Sequence, residues 1–224
     1  MTFGEMNIAF QVGMDKVASL SYANFLDEQI DFFLNQATLR FINTRMQGNN
    51  VYQYGLEETQ KRVDDLRELV KDYSGPLTAD TFEPELGVVW MDFPDDYLYL
   101  MRVKCLMRTA TCGPSWQAPK QIQHDDLEKI LYDPFNKPDF INPIFVIKGT
   151  KLYFYGNPAL FYDEVKIQYI SYPVTIDSTN SPNDTLNMAK HTHQEIVDIA
   201  VGIALEDIES PRWQSQQALM KNQE

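Results

Sequence analysis

The first third of the chain carries apolar side chains at the spacing of an α-helix. Residues 7–20 show a weak form of this pattern, and residues 26–41 show a clear one that would place its apolar side chains on one face. Asp27 and Glu28 stand in the first turn of the clear segment, where acidic side chains favour the helix dipole. Residues 57–72 predict a third helix with a narrow apolar stripe and a solvated face of mixed charge.

The middle of the chain alternates with the period of a β-strand. Residues 97–108 have an apolar or aromatic side chain at every second position, which predicts a strand with one buried face. The side chains expected on that buried face are Tyr97, Tyr99, Met101, Val103, Cys105 and Met107. Arg102, Lys104 and Arg108 fall on the opposite face. This basic row is typical of the solvent face of an antiparallel strand, and the alternative is a patch that meets an acidic neighbouring subunit.

Further elements follow with shorter signals. Gly149-Thr150 separates two apolar runs at residues 144–148 and 151–155, which predicts a hairpin. Strands are also expected at residues 86–93 and 164–172, and a short helix at residues 125–132. A polar loop is expected at residues 176–187.

The last helix is expected to begin after Thr192, because Thr192 and Glu195 have the spacing of a capping box. Pro211 would stop or kink this helix. The order of elements predicts an α+β protein, with a helical bundle built from N- and C-terminal helices and an inserted, mainly antiparallel β region. The expected parts are N-terminal helices (residues 1–75), a β-rich region with a short helix (76–175), a loop with the C-terminal bundle helix (176–209) and a polar tail (210–224).

The charge balance changes the picture of what this protein contacts. The chain has 224 residues with 32 acidic and 19 basic side chains, a formal net charge of −13. A protein that grips nucleic acid by its phosphates needs the opposite sign, so tight DNA binding is disfavoured. Aromatic residues reach 12%, which suits surfaces that become buried against a partner.

Targeting signals and cysteine motifs add little. Cys105 and Cys112 have no CxxC spacing, so we expect reduced, structural thiols and assembly in a cytoplasm. The N-terminal residues do not have the pattern of a signal peptide, and no stretch has the length and apolarity of a membrane helix.

Candidate catalytic or metal-binding residues all have simpler interpretations. His191 and His193 lie two residues apart before Glu195, a spacing that points two helical side chains away from each other, so capping and packing are favoured over a metal site. The chain has no phosphate-binding glycine loop, HExxH or GxSxG motif. We therefore expect no enzyme activity, no cofactor and no metal.

Two groups of acidic residues also have local structural interpretations. Asp92, Asp95 and Asp96 flank Pro94 and are typical of a turn, although paired carboxylates could also act in acid–base chemistry. A hydrolase that uses Asp92, Asp95 or His193 is therefore a distant alternative. Asp125 and Asp126 are explained as the first turn of a helix.

Several segments, in order, resemble one family. They are "EMNIAFQVGMDKV" (5–17), "FLDEQIDFFLNQATLRFI" (25–42), "GLEETQKRVDDLRELVK" (55–71), "IQHDDLEKILYDPFNKP" (122–138) and "HTHQEIVDIAVGIALEDIESPRWQ" (191–214). Together they resemble the neck ring protein of crAss-like phages, the short-tailed viruses of gut Bacteroidales. The layout is also similar to the tail tubular A-type adaptors of other podoviruses.

The resemblance implies a structural ring subunit of the virion, a head–tail connector assembled in the host cytoplasm. It implies a ring of identical copies, as a dodecamer, around a channel through which DNA passes during ejection without specific binding. The implied partners are the portal protein and the next tail ring or tail protein, with no membrane. Another virion structural role, such as a head-completion or tail-hub protein, is the alternative.

The resemblance also implies where the contacts lie. The tail after residue 210 would reach the portal, with Trp213 as the candidate contact and Pro211, Arg212 and Gln214 beside it. A single indole in a polar tail is a common anchor, although Trp213 folding back on its own domain is the equal alternative. The tyrosine-rich β region would face neighbouring subunits or the next tail ring.

Overall fold

The computed structural model describes residues 1–18, 25–47, 60–80, 87–110, 112–156 and 159–208. The chain forms two compact units, one from residues up to Leu69 and from Pro173 onward, and the other from Val70–Tyr172. Within the described ranges, five α-helices accompany two mostly antiparallel sheets. The predicted α+β class is therefore confirmed.

Among the described residues of the first unit, three helices supply most of the buried apolar side chains. They are α1 (Phe3–Ala18), α2 (Asp27–Gln47) and α5 (His193–Asp207), and α5 contacts both α1 and α2. Phe10, Leu34 and Ala200 are fully buried representatives of the three helices. The helices α1 and α5 approach closely, since a Cβ on Gly13 would lie 2.9 Å from the Val201 side chain. The clear helical pattern at residues 26–41 is confirmed by α2.

The predicted third helix is wrong at its C-terminal end. The helix α3 covers only Gln60–Leu66; a 3₁₀ turn, Arg67–Leu69, follows, and the chain then continues as strand β1 (Val70–Tyr73). Val70 pairs with Ile170 of the long strand β9 (Leu160–Ser171). A neighbouring strand offers backbone hydrogen bonds that the local sequence does not reveal, and β-branched Val70 suits them. The start of the prediction, residues 57–59, lies outside the described residues.

The second unit contains both sheets. The first sheet has the order β1-β9-β4-β5 and the second has the order β2-β3-β8-β7-β6, with β6–β7 the parallel pair. The remaining elements are β2 (Thr78–Ala79), β3 (Val89–Asp92), β4 (Tyr97–Thr109), β5 (Ser115–Gln117), β6 (Lys120–Gln121), α4 (His124–Tyr132), β7 (Ile144–Lys148) and β8 (Lys151–Tyr155). The predicted hairpin is β7–β8, where Gly149 adopts a φ of 62° that glycine tolerates without strain.

One apolar core holds the two sheets face to face. Buried Cys105 and Val165 of the first sheet belong to the same cluster as Leu152 and Phe154 of the second. The opposite face of the second sheet is covered by α4, whose partly buried apolar side chains pack against Ile144 and Val146. The layers of this unit are therefore the exposed face of the first sheet, the core, the second sheet and α4.

The alternation predicted along β4 is correct at Tyr97, which packs against the core, and in the second half of the strand, but it is wrong between them. Val103, Cys105 and Met107 point into the core as expected. Register shifts between Tyr97 and Tyr99 and between Leu100 and Arg102 interrupt the alternation, so that Leu100 packs against the core. A bulge inserts a residue and moves the following side chains to the other face. The prediction that Tyr99 and Met101 share a face with Val103 is therefore wrong.

Candidate interaction surface

The outer face of the first sheet gathers cations and aromatic rings from three strands. Along β4, Arg102, Lys104 and Arg108 lie on the face opposite the buried Val103, Cys105 and Met107. The strand register sets Lys166 of β9 opposite Lys104, and Phe161 of β9 opposite Arg108. It also sets Trp116 of β5 opposite Leu106. The basic–aromatic face is defined here by Arg102, Lys104, Arg108, Trp116, Phe161 and Lys166.

Two of these cations are held by an acid and an aromatic ring each. The Arg108 Nε lies 2.9 Å from Asp163 Oδ1, and its guanidinium carbon lies 5.5 Å from the centre of the Phe161 ring. The Lys166 Nζ lies 3.2 Å from Glu164 Oε1 and 4.7 Å from the centre of the Trp116 ring. Such cation–π contacts orient both the ring and the charge at an exposed site.

The centre of the face carries unbalanced positive charge. Lys104 stands directly opposite Lys166 in the strand register, an arrangement of like charges that destabilises a sheet. Within the described residues, neither Lys104 nor the exposed Arg102 has an acidic side chain within ion-pair distance. An anionic group placed over this face would relieve the repulsion.

The aromatic part of the face is open to solvent. Trp116 is 42% exposed and Phe161 is 50% exposed. Aromatic rings and arginine are the side chains that are enriched in protein interfaces. The three basic residues therefore lie on the common face that the sequence predicts, and their role between subunits stays a prediction.

A second exposed surface was not foreseen from the sequence. It is termed the acidic–apolar segment and spans residues 124–142, which comprise α4 and the loop that leads to β7. Tyr132 is 86% exposed, Phe135 is 94% exposed and Ile141 is 71% exposed. The segment has five carboxylates against two lysines. The sequence does place Phe135 and Ile141 near the Asp-Pro and Lys-Pro turns. Turn composition, however, does not show whether a neighbouring apolar side chain is exposed or buried.

The histidines near α5 make hydrogen bonds within the first unit. His191 Nε2 lies 2.7 Å from Asp65 Oδ1, and Arg45 Nε donates to Asp65 Oδ2 at 2.9 Å. His193 is buried, its Nε2 lies 3.1 Å from the Met188 carbonyl oxygen, and burial lowers its pKa. The two imidazoles therefore contact different partners, and the described parts of the chain contain no cluster of three metal-ligating side chains.

The predicted capping box at Thr192 is wrong. A 3₁₀ turn precedes α5, so Thr192 has helical dihedral angles and its hydroxyl donates to the Ala189 carbonyl at 2.8 Å. Glu195 cannot cap because its carboxylate accepts hydrogen bonds from Arg45 at 2.7 Å and from Lys61 at 3.0 Å. Charged partners brought in by the tertiary fold outcompete the local backbone donor.

The acidic residues beside Pro94 have a structural role. Asp95 and Asp96 form the predicted turn between β3 and β4, and Asp92 ends β3 on the surface. Lys71 and Tyr169 donate to Asp96 at 2.6 Å and 2.7 Å. The hydrogen bond from Lys71 is the main cause that lowers the pKa of Asp96, whereas burial raises the pKa of Tyr169 to about 12.

Other candidate residues are placed simply. Asp125 and Asp126 lie in the first turn of α4, as predicted. Cys105 and Cys112 are both free thiols, and burial raises the pKa of Cys105 to about 12. The candidate portal contacts Pro211, Arg212, Trp213 and Gln214 lie outside the described residues.

Comparisons with protein families and curated proteins assign no family to this chain. No protein-family model matches the chain, and no curated protein matches it either. Among the described helices, none is both long enough and apolar enough to cross a membrane. The function must therefore be inferred from the chain itself.

Proposed function

We propose that this chain is a non-enzymatic ring subunit in the neck of a short-tailed bacteriophage, where it joins the portal to the tail around the DNA channel. The observation that carries the proposal is the basic–aromatic face on a chain whose net charge is −13. A surface of this kind suits an acidic protein partner, and copies of the chain are such a partner. The five sequence segments that resemble phage neck proteins, in the same order along the chain, support the same function.

Ring formation places a physical demand on the subunit. A closed ring uses a heterologous interface, in which one patch contacts a different patch on the next copy. A chain with a local basic face and an acidic remainder can meet that demand. The acidic excess also suits a channel wall, because DNA phosphates find few cations there and slide without being held.

The finer architecture belongs to the same proposal. In it, α1, α2 and α5 are the helices of one bundle, the β-rich unit supplies the contacts between subunits, and the tail from residue 210 reaches the portal. The ring has the dodecameric symmetry that the family resemblance implies.

The proposal is tested by assembly. Purified protein at physiological salt is expected to form rings, or to assemble when portal protein is added, as measured by sedimentation velocity and negative-stain microscopy. Protein that stays monomeric and does not bind portal would contradict the proposal. Cryo-electron microscopy of the virion separates a neck ring from a head-completion or tail-hub protein by location.

Deleting residues 210–224 is expected to weaken portal attachment and to spare the fold. The reason is that the apolar helical periodicity ends before this polar tail, so its removal takes little from the core. Portal co-sedimentation measures the loss, and the thermal unfolding midpoint measures the fold. A Trp213→Ala variant serves as the matched minimal change, and truncated protein that still joins heads to tails normally would refute the prediction.

A further inference from the structure

The acidic–apolar segment is exposed, and hydrogen bonds to two aspartates shape its turns. The Asp133 carboxylate accepts hydrogen bonds from the Phe135 backbone N–H at 2.9 Å and from the Asn136 side chain at 2.6 Å. The Asp139 carboxylate accepts in the same way from the backbone N–H groups of Ile141 and Asn142, at 2.9 and 2.7 Å. Phe135 and Ile141 are therefore presented on ordered turns, which lowers the entropy lost when they bind a partner.

Helix α4 of the segment and the basic–aromatic face lie on opposite sides of one unit. The helix α4 covers the far face of the second sheet, whereas Arg102 and Lys104 lie on the outer face of the first sheet. The apolar core separates the two sheets. The helical part of the segment therefore points away from the basic–aromatic face of its own copy, but it can reach the face of the next copy, which is a head-to-tail contact.

The two surfaces match in both charge and apolarity. The segment offers carboxylates of Asp125 and Glu128 to a face on which Lys104 has no acidic partner among the described residues and stands opposite a second lysine. Its exposed Phe135 suits the open rings of Trp116 and Phe161, since aromatic pairs add to the area that they bury. Opposite charge at a rim around aromatic contacts is the usual anatomy of a specific interface.

We propose that residues 124–142 of one copy dock on the basic–aromatic face of the next copy, as the repeating contact of the ring. This inference rests on the proposed ring function and names the partner of its central surface. It assigns Phe135 as the apolar anchor and the Lys104–Lys166 pair as the receptor for the carboxylates. The contact uses two different patches, so it repeats around a closed ring.

Charge reversal with rescue tests the contact. The face variant carries Arg102→Glu and Lys104→Glu, and the segment variant carries Asp125→Lys and Glu128→Lys. Each variant alone opposes like charges and is expected to raise the dissociation constant of assembly about tenfold or more. An equimolar mixture is expected to recover assembly, because each reversed face meets a reversed segment and each unaltered face meets an unaltered segment.

Controls separate the contact from net charge and from misfolding. Arg67→Glu with Lys190→Glu matches the charge change of the face variant at exposed basic residues of the first unit, and Asp184→Lys with Asp207→Lys matches the segment variant. The Lys104→Glu change places opposite charges across from each other at Lys166, so the thermal midpoint of the face variant is expected to hold or rise. Phe135→Ser removes the anchor without changing charge and is expected to weaken assembly as well.

The outcomes distinguish this contact from the ring function. Rings or portal-bound assemblies of the wild type that persist in both reversed variants overturn the docking contact and leave the ring intact. Loss in both variants without recovery in the mixture overturns the pairing of these two surfaces. Wild-type protein that neither assembles nor binds portal overturns both proposals. A single-stranded oligonucleotide that binds tightly at physiological salt, and is lost with the face variant, would assign the face to nucleic acid instead.

Discussion

Replacing Asp65 with Asn is expected to lower the free energy of unfolding by about 3 kcal/mol. Asp65 is 0% exposed and its two carboxylate oxygens contact Arg45 and His191 at 2.9 and 2.7 Å. The change leaves the buried Arg45 guanidinium with Glu195 as its remaining carboxylate. Removing one partner of a buried pair costs more than the pair contributes, because the surviving charge stays desolvated. Urea unfolding followed by circular dichroism measures the loss.

The adjacent acid provides the matched control. Asp64 is half exposed, and its ion pair with Arg67 is long, at 3.8 Å, with both side chains in solvent. Asp64→Asn is expected to change the unfolding free energy by no more than about 1 kcal/mol. Equal losses of unfolding free energy for the two substitutions would show that the burial of Asp65 does not determine how much this residue contributes to stability.

Replacing Phe154 with Ala is expected to cost about 3–5 kcal/mol of unfolding free energy. Phe154 is 0% exposed in the core between the two sheets, and its ring centre lies 6.0 Å from that of Phe145 and 5.9 Å from that of Tyr162. Truncation removes the transfer free energy of the ring and leaves a cavity between two sheets that cannot close it fully. Thermal and urea unfolding both report the effect.

The same substitution at Phe135 separates stability from assembly. Phe135 is 94% exposed, so Phe135→Ala removes almost no buried area from the isolated subunit. Its unfolding free energy is expected to stay within about 0.5 kcal/mol of the wild type. A large loss of stability at Phe135, or a small one at Phe154, would contradict the burial of these two rings.

Local sequence patterns predicted an element correctly where the residues that carry the pattern are the same residues that form the element. The hairpin at Gly149 follows from a turn that needs a positive φ between two apolar runs. The second half of β4 follows from strict alternation, which also places Arg102 and Lys104 on the surface. The three- and four-residue steps after Asp27 specify α2 in the same way.

Local patterns failed where a distant partner competes. Residues 70–73 become a strand because β9 offers a backbone ladder to Val70, whereas the preceding residues have helical spacing. Glu195 binds Arg45 and Lys61 rather than capping its own helix, since charge-assisted hydrogen bonds are the stronger ones. The bulges in β4 arise from pairing with β9, so its sequence alone could not show which tyrosines turn outward.

The sequence by itself determined the acidic balance, the α+β order of elements and the basic row on β4. Only the tertiary structure decided that Lys104 faces Lys166, that Asp65 is buried against Arg45, and that Phe135 is almost wholly exposed. The reason is that periodicity reports which side of its own element a residue occupies. Strand register and layer packing decide what lies opposite that side, and they depend on residues far away in the chain.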